Sequence, residues 1–497
     1  MSQEHPHQID KASIQPEGED KPSVLDGISK IRTTLDELEA QIAEYRKLLA
    51  EEEAITARRG AEPSVVEVVD ETRLGNIAEE IAADAAALYD PRFERDIVAT
   101  QQVVVEIAPT AIEDAKQDEK AGEERKHLAE PKVELLTLFA ELQMQLEMGL
   151  HRNASVAVFV DGEELLSYLS SEDGSGATPE LPPLFRAFSS GKAMAAATIW
   201  RLLDAGNLEI DAPVARYWPE FAQRGKTGVT LRHVLTHTAG LPRDFGRGDV
   251  DWGDWGRMID ILASMPLEYE PGKIIHYHAI TFGLLVAEIA SRATGDTFVD
   301  LFEREVKSPL GLSDTSFAVD LEDREARRRI QRLHVPADYH DQDMPRKMDW
   351  LLDNQIVSPG ATCVTSARDL TKLYSAVCGG GQIIEDEVWL SEEAAENVYT
   401  VHARAYDIES MLPLRIGQGV WFFDDQPNRM AAPVESRTFG HGGMGTSIAW
   451  GDPDHDVAVA IVADTMQMEE LNGKRLNRIS AAVRRDLELP AGDVEEF

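Results

Sequence analysis

The chain has 497 residues, with 49 Lys+Arg against 89 Asp+Glu and a formal net charge of −40. So acidic a surface repels phosphate backbones and anionic bilayers, which argues against a nucleic-acid binder and against a protein docked on a membrane. Hydrophobic residues make up 43%, enough for a sizeable core, while two cysteines, Cys363 and Cys378, supply neither a disulfide framework nor a cysteine-based zinc site. The opening MSQEHPHQID has no apolar leader, and the chain has no run of 18 apolar residues, so a soluble cytoplasmic protein is expected.

Residues 1–22 are polar and carry Pro6, Pro16 and Pro22; the composition predicts disorder. From 23 to 58 the pattern is heptad: Ile28, Leu35, Ile42 and Leu49 recur every seven residues, with Ile31, Leu38 and Tyr45 three further on. That spacing predicts a coiled-coil helix that pairs copies of the chain or grips a partner protein, or else packs on its own chain. Residues 59–133 form an acidic extension to which no chemistry is assigned. Residues 1–130 hold 31 acidic against 15 basic side chains.

After Pro131 the texture is that of a compact domain, spanning 134–488, with 489–497 as a tail. An amphipathic helix is predicted over 133–150, and SVAVFVDG with ELLSYLS reads as a hairpin around Asp161-Gly162. Helices are predicted over 192–205, 281–293 and 470–486, and strands over 437–439, 446–450 and 457–463. Strands at both ends with helices between predict a mixed α/β domain whose sheet is closed by the two ends of the domain.

The chemistry centres on Phe188-Ser189-Ser190-Gly191-Lys192. The Ala- and Leu-rich run after Lys192 reads as a buried helix stopped by Gly206, which puts Ser189 at its N-terminus and Lys192 one turn on. A serine hydroxyl needs a base, and a desolvated lysine, its pKa lowered, can serve as one. A Ser-x-x-Lys pair alone is weak. It gains weight from four segments downstream, in this order: TLRHVLTHTAGLP from Thr230, PGKIIHYHAITFGLL from Pro271, SPGATCVTSARDL from Ser358 and FGHGGMGTS from Phe439.

This ordered set resembles the serine β-lactamase and penicillin-binding-protein superfamily, nearest its class C, D-alanyl-D-alanine carboxypeptidase and esterase branch. The resemblance covers residues 134–488. It implies an antiparallel sheet flanked by helices, with an all-helical lobe, and a serine hydrolase that works through an acyl-enzyme without cofactor or metal. Ser189 and Lys192 then stand as nucleophile and base. Tyr277 falls at the catalytic tyrosine, where a cationic lysine would stabilise its phenolate. His441 stands where lactamases carry lysine and would titrate near neutrality. Gly442, Gly443 and Met444 complete the substrate-binding strand, the Met444 and Ser189 N–H groups forming the oxyanion hole. His278 holds the middle of the second element, among the candidate substrate contacts.

One departure steers the substrate. Ala279 occupies the position often held by Asn, and alanine cannot bond a substrate amide. A carboxylesterase-type activity on small acyl esters is therefore expected. The alternatives are an acyltransferase using the same acyl-enzyme, a D-amino-acid peptidase or weak β-lactamase, and a catalytically weak scaffold. His233 and His237 are four apart but lack the glutamate of a metalloprotease helix, so a metal role is not expected. Trp421-Phe422-Phe423 is expected at the site mouth or in the core. Trp252 and Trp255 are expected in a loop near the entrance.

Overall fold

The computed structural model describes residues 135–173, 181–242, 252–320, 323–384, 387–408, 413–423 and 428–497. The disordered leader, the heptad segment and the acidic extension expected before residue 134 lie outside the described residues.

The frame is an eight-stranded antiparallel sheet. We label its strands β1 (Asn153–Val160), β2 (Glu163–Ser171), β3 (Ala403–Tyr406), β4 (Pro413–Ile416), β5 (Trp421–Phe422), β6 (Phe439–Gly443), β7 (Ser447–Asp452) and β8 (Val457–Ala463). Their order across the sheet is β2-β1-β8-β7-β6-β5-β4-β3. The β1–β2 hairpin turns at Asp161, with φ 50°, and Gly162, with φ 80°, a left-handed pair that suits Asp-Gly. The first strand of the domain lies against the last, Val156 facing Ile461 and Ala157 facing Ala460. The sheet is thus closed by the domain's two ends, as the pattern of strands predicted.

The two faces of the sheet carry different side chains. Alanines dominate one: Ala157, Ala449, Ala458 and Ala460 share a core with the central helices. Bulkier residues, Val156, Val158, Ile448, Val459 and Ile461, fill the other with the two terminal helices, Leu136–Glu147 and Glu469–Asp486. Period-two alternation sorts these residues, and the alanine face lets helix Ala367–Cys378 approach β8 closely. The terminal helices are also tied to each other: Asp486 accepts from the Thr137 and Leu138 N–H groups at 3.2 and 2.9 Å, so the last turn of one helix caps the first turn of the other.

Beside the alanine face lie helices α1 (Gly191–Asp204), α2 (Trp255–Ser264) and α3 (Thr281–Thr294). Every residue of α1 from Gly191 to Trp200 is buried, which explains a sequence apolar all round rather than on one stripe. Trp255 does not lie in an entrance loop. It opens α2 and donates its indole N–H to Glu288 at 3.0 Å, and Trp252 is largely buried. Among the described residues, no helix is long and apolar enough to cross a membrane.

Candidate active site

Ser189 sits in a 3-10 turn, Phe188–Ser190, that runs straight into α1. Phe188 before it has φ +47°, a left-handed conformation that costs energy in a bulky residue and turns the chain sharply. Ser189 keeps partial exposure. Its neighbour Ser190 has none and bonds the His441 carbonyl at 3.0 Å and the Ser447 hydroxyl at 3.1 Å, while Ser447 in turn donates to the Ala187 carbonyl at 3.1 Å. The turn is therefore bolted to β6 and β7.

Lys192, one turn along, has no exposed surface. Its Nζ lies 3.0 Å from Ser189 Oγ and donates to the Gly360 carbonyl at 2.8 Å. Burial lowers its pKa from the ordinary value to about 7, since taking an ammonium out of water disfavours the charged form. Gly360 belongs to the segment from Ser358 and packs where α3 begins. A Cβ on Gly283 would meet the Gly360 nitrogen at 2.1 Å, so glycine there is required by close approach.

Tyr277 approaches from the stretch before α3 and donates its hydroxyl to Ser189 Oγ at 2.7 Å. The Lys192 Nζ lies 5.0 Å from its ring centroid. Although the residue keeps some exposure, desolvation dominates and pushes the phenol pKa up. This corrects the expectation of a lysine-stabilised phenolate: at neutral pH Tyr277 is a protonated donor. Its own N–H is held by Asp407 at 3.2 Å.

His278 lies in a different direction. It is fully buried, its Nε2 accepts from the Leu241 N–H at 3.1 Å, and its Nδ1 donates to the His276 carbonyl at 2.6 Å. Both ring nitrogens serve the backbone, so His278 is not placed to touch a substrate. His237, at φ +56°, accepts the His278 N–H on Nδ1 at 3.1 Å, and its ring lies 4.9 Å from that of Tyr277. His233 accepts the Thr230 N–H on Nδ1 at 3.1 Å. The His233/His237 pair thus braces loops.

On β6, His441 is almost fully buried and pairs its Nδ1 with the Gly442 carbonyl at 2.8 Å. Burial first, then the nearby Lys192, lowers its pKa to about 3. It does not titrate near neutrality, as its position in the sequence had suggested, but stays neutral. Gly443 is required by sterics: its Cβ would stand 2.3 Å from the Ala187 carbonyl and 2.2 Å from Ser447 Oγ. Gly442 faces the other way, toward Arg429, which is ion-paired to Glu469. Met444 comes next, in the turn after β6, partly exposed. Ala279 is exposed. Trp421, on β5, meets Tyr277 edge-on at 5.4 Å and His441 at 5.5 Å, while Phe422 is buried core.

The fold thus brings Ser189, Lys192 and Tyr277 into one hydrogen-bonded cluster, with His441 and Gly443 on the strand beside it and Met444 in the turn that follows. Reading the sequence missed Ser190, Gly360 and Asp407. Ser190 and Gly360 stood inside motifs already singled out. Asp407 is 130 residues from Tyr277 and left no local signal.

A family model described as beta-lactamase matches residues 142–483, well over half of the chain. The chain belongs to the beta-lactamase family. It is 30% identical over 343 residues to the esterase/beta-lactamase LipL of Mycobacterium tuberculosis, covering 62% of this chain and 76% of that one. Among solved structures, a penicillin-binding-protein homologue from Caulobacter crescentus superimposes with a TM-score of 0.62 at 25% identity, over 73% of this chain and 99% of that one. A family VIII carboxylesterase gives 0.61 at 23%, over 72% and 99%; that likeness is one of fold. The protein is accordingly a serine hydrolase of the beta-lactamase family.

Proposed function

We propose that Ser189 is the nucleophile and that the preferred substrates are small, uncharged acyl esters. The observation that carries this is the convergence of Lys192 Nζ and Tyr277 Oη on Ser189 Oγ at 3.0 and 2.7 Å. With a pKa near 7, Lys192 is substantially neutral at physiological pH and its lone pair can take the serine proton as Oγ attacks the carbonyl carbon. The Ser189 and Met444 N–H groups are assigned to the developing oxyanion. Tyr277, protonated and directed at the reacting centre, gives its proton to the leaving alkoxide and recovers one from the Lys192 ammonium. The alcohol leaves, the acyl group stays on Ser189, and water releases it as the acid with the same groups acting in reverse.

Two features support uncharged esters over β-lactams and peptides. His441 is neutral and turned to the Gly442 carbonyl, so β6 offers no fixed cation for a substrate carboxylate. Ala279 provides no amide to bond a peptide link. The test is intact mass after treatment with a fluorophosphonate, on wild type and Ser189→Ala, and then rates on short acyl esters and on a chromogenic cephalosporin. One adduct on wild type, none on the variant, and ester turnover far above lactam turnover are expected. An unlabelled wild type that is folded, or ester hydrolysis unchanged in Ser189→Ala, would overturn the assignment.

A further inference from the structure

Away from Ser189, the structure holds a cavity whose chemistry the hydrolytic reaction does not use. Of about 310 Å³, a size that admits a small molecule, it lies between the loop leading to Tyr277 and edge strand β3. Five residues with nitrogen-bearing side chains are among those lining it: Arg232, His233, Lys273, His402 and Arg404. The hydroxyl-bearing Thr236 and Thr238 line it too, and no carboxylate does among the described residues. In a chain where acidic side chains outnumber basic ones by 89 to 49, this wall gathers cationic residues, and the carboxylates that pair with them stand outside it.

The cations are held in place from outside the cavity. Asp211, largely exposed, clasps Arg232 through Nε and Nη2 at 2.7 and 2.9 Å. Glu435 clasps Arg404 through both terminal nitrogens at 2.7 and 2.8 Å. Arg232 also donates to Nδ1 of His402, whose Nε2 donates to the Asn397 carbonyl at 2.9 Å. His233 accepts the Thr230 N–H on Nδ1, which leaves the proton on Nε2. That atom is directed at Gly272, where an added Cβ would stand 2.9 Å away. Gly272, with φ +79°, keeps this wall open where any larger residue would close it. Preordered donors of this kind suit planar or tetrahedral oxyanions. The remaining wall is apolar, from Ile274, Ile275, Ala403 and Ala405.

We propose that this cavity is a binding site for a small oxyanion carrying a short apolar body, either a carboxylate or a phosphate monoester. Arg232, Lys273 and Arg404 hold the charged end, and Ile274 with the β3 alanines holds the apolar one. The site is separate from Ser189 and does not depend on the assignment of the nucleophile. It adjoins the catalytic cluster through the backbone: Ile275, in its wall, pairs with the Asp407 segment, Ile408 N–H donating to the Ile275 carbonyl at 3.1 Å.

The test is isothermal titration of the full chain with sodium butyrate and, separately, with phenyl phosphate, at an ionic strength held constant with sodium chloride. The same titrations are run on the Lys273→Glu/Arg404→Glu double variant; both residues are exposed, and circular dichroism checks that it folds. Expected is a saturable one-site isotherm with at least one of the two ligands, weakened at least tenfold in the double variant. Butyrate alone would identify the carboxylate class, phenyl phosphate alone the phosphate class. No saturable heat with either, or equal affinity in the folded double variant, would overturn the proposal.

Discussion

Two lysines in this chain occupy nearly the same kind of place. Lys192 and Lys226 both lack exposed surface. Each donates to a backbone carbonyl, Gly360 and Met265 respectively, and each lies beside an aromatic ring, Tyr277 at 5.0 Å and Phe221 at 5.3 Å. Burial lowers both, to about 7 and about 8. Only Lys192 has a serine hydroxyl within reach. A depressed lysine pKa is therefore a property of packing that the fold produces twice among the described residues, and the proposed chemistry needs the packing to place a nucleophile and a proton donor beside the same nitrogen as well.

The sharpest way to break this comparison is to remove both amines. Lys192→Met should cut kcat/KM for a short acyl ester by about a thousandfold or more, because base and charge partner go together. Lys226→Met, compared per folded molecule, should change it less than about threefold; an equal loss in both would show that the amines act only through stability. Next in size, Tyr277→Phe should lower kcat by about a hundredfold with KM little changed, since the hydroxyl acts on proton transfer rather than on binding. Steady-state kinetics on one ester series settle both.

A smaller effect is expected from Ser190→Ala. It removes the bond from the Ser189–Ser190 turn to the His441 carbonyl on β6, at about 0.5–1.5 kcal/mol, while the Ser447 hydroxyl keeps the Ala187 carbonyl. Melting temperature should fall by several degrees and kcat by about tenfold. His441→Gln should change rates still less, and it isolates the titrating group. In the proposed mechanism the active form has neutral Lys192, so kcat/KM should rise with pH to a plateau above about 7. That inflection should persist in the glutamine variant, because His441 is already neutral down to about 3. A lost inflection would move the titration to His441.

The smallest expected effect is on stability. The folded-state pKa of Lys226 is depressed from the ordinary 10.5 to about 8. Between those values the unfolded chain binds more protons than the folded one, so wild-type stability rises with pH across that window. Lys226→Met should lack this contribution, and the gap between the two melting curves should shift in favour of wild type from pH 8 toward pH 10.5.

Local pattern carried a large part of this protein. The period-two runs at 153–171 and 447–463, the all-apolar helix after Lys192 and the left-handed Asp161-Gly162 turn are short-range consequences of side-chain size and backbone freedom, readable without knowing the neighbours. The order of Ser189, Lys192, Tyr277 and His441 along the chain was visible too, but through the resemblance of their ordered segments to a known superfamily rather than through local pattern. What those residues do to one another was not. The neutrality of His441, the protonated state of Tyr277 and the inward turn of His278 toward Leu241 depend on how much water the packed fold removes and which carbonyls it leaves nearby. Asp407 holds Tyr277 across 130 residues, and Gly360 holds Lys192 across 168. Charge state and long-range partnership are properties of the packed interior, where desolvation and a hydrogen bond's few tenths of an ångström decide the sign of a pKa shift, and a one-dimensional pattern holds no record of either.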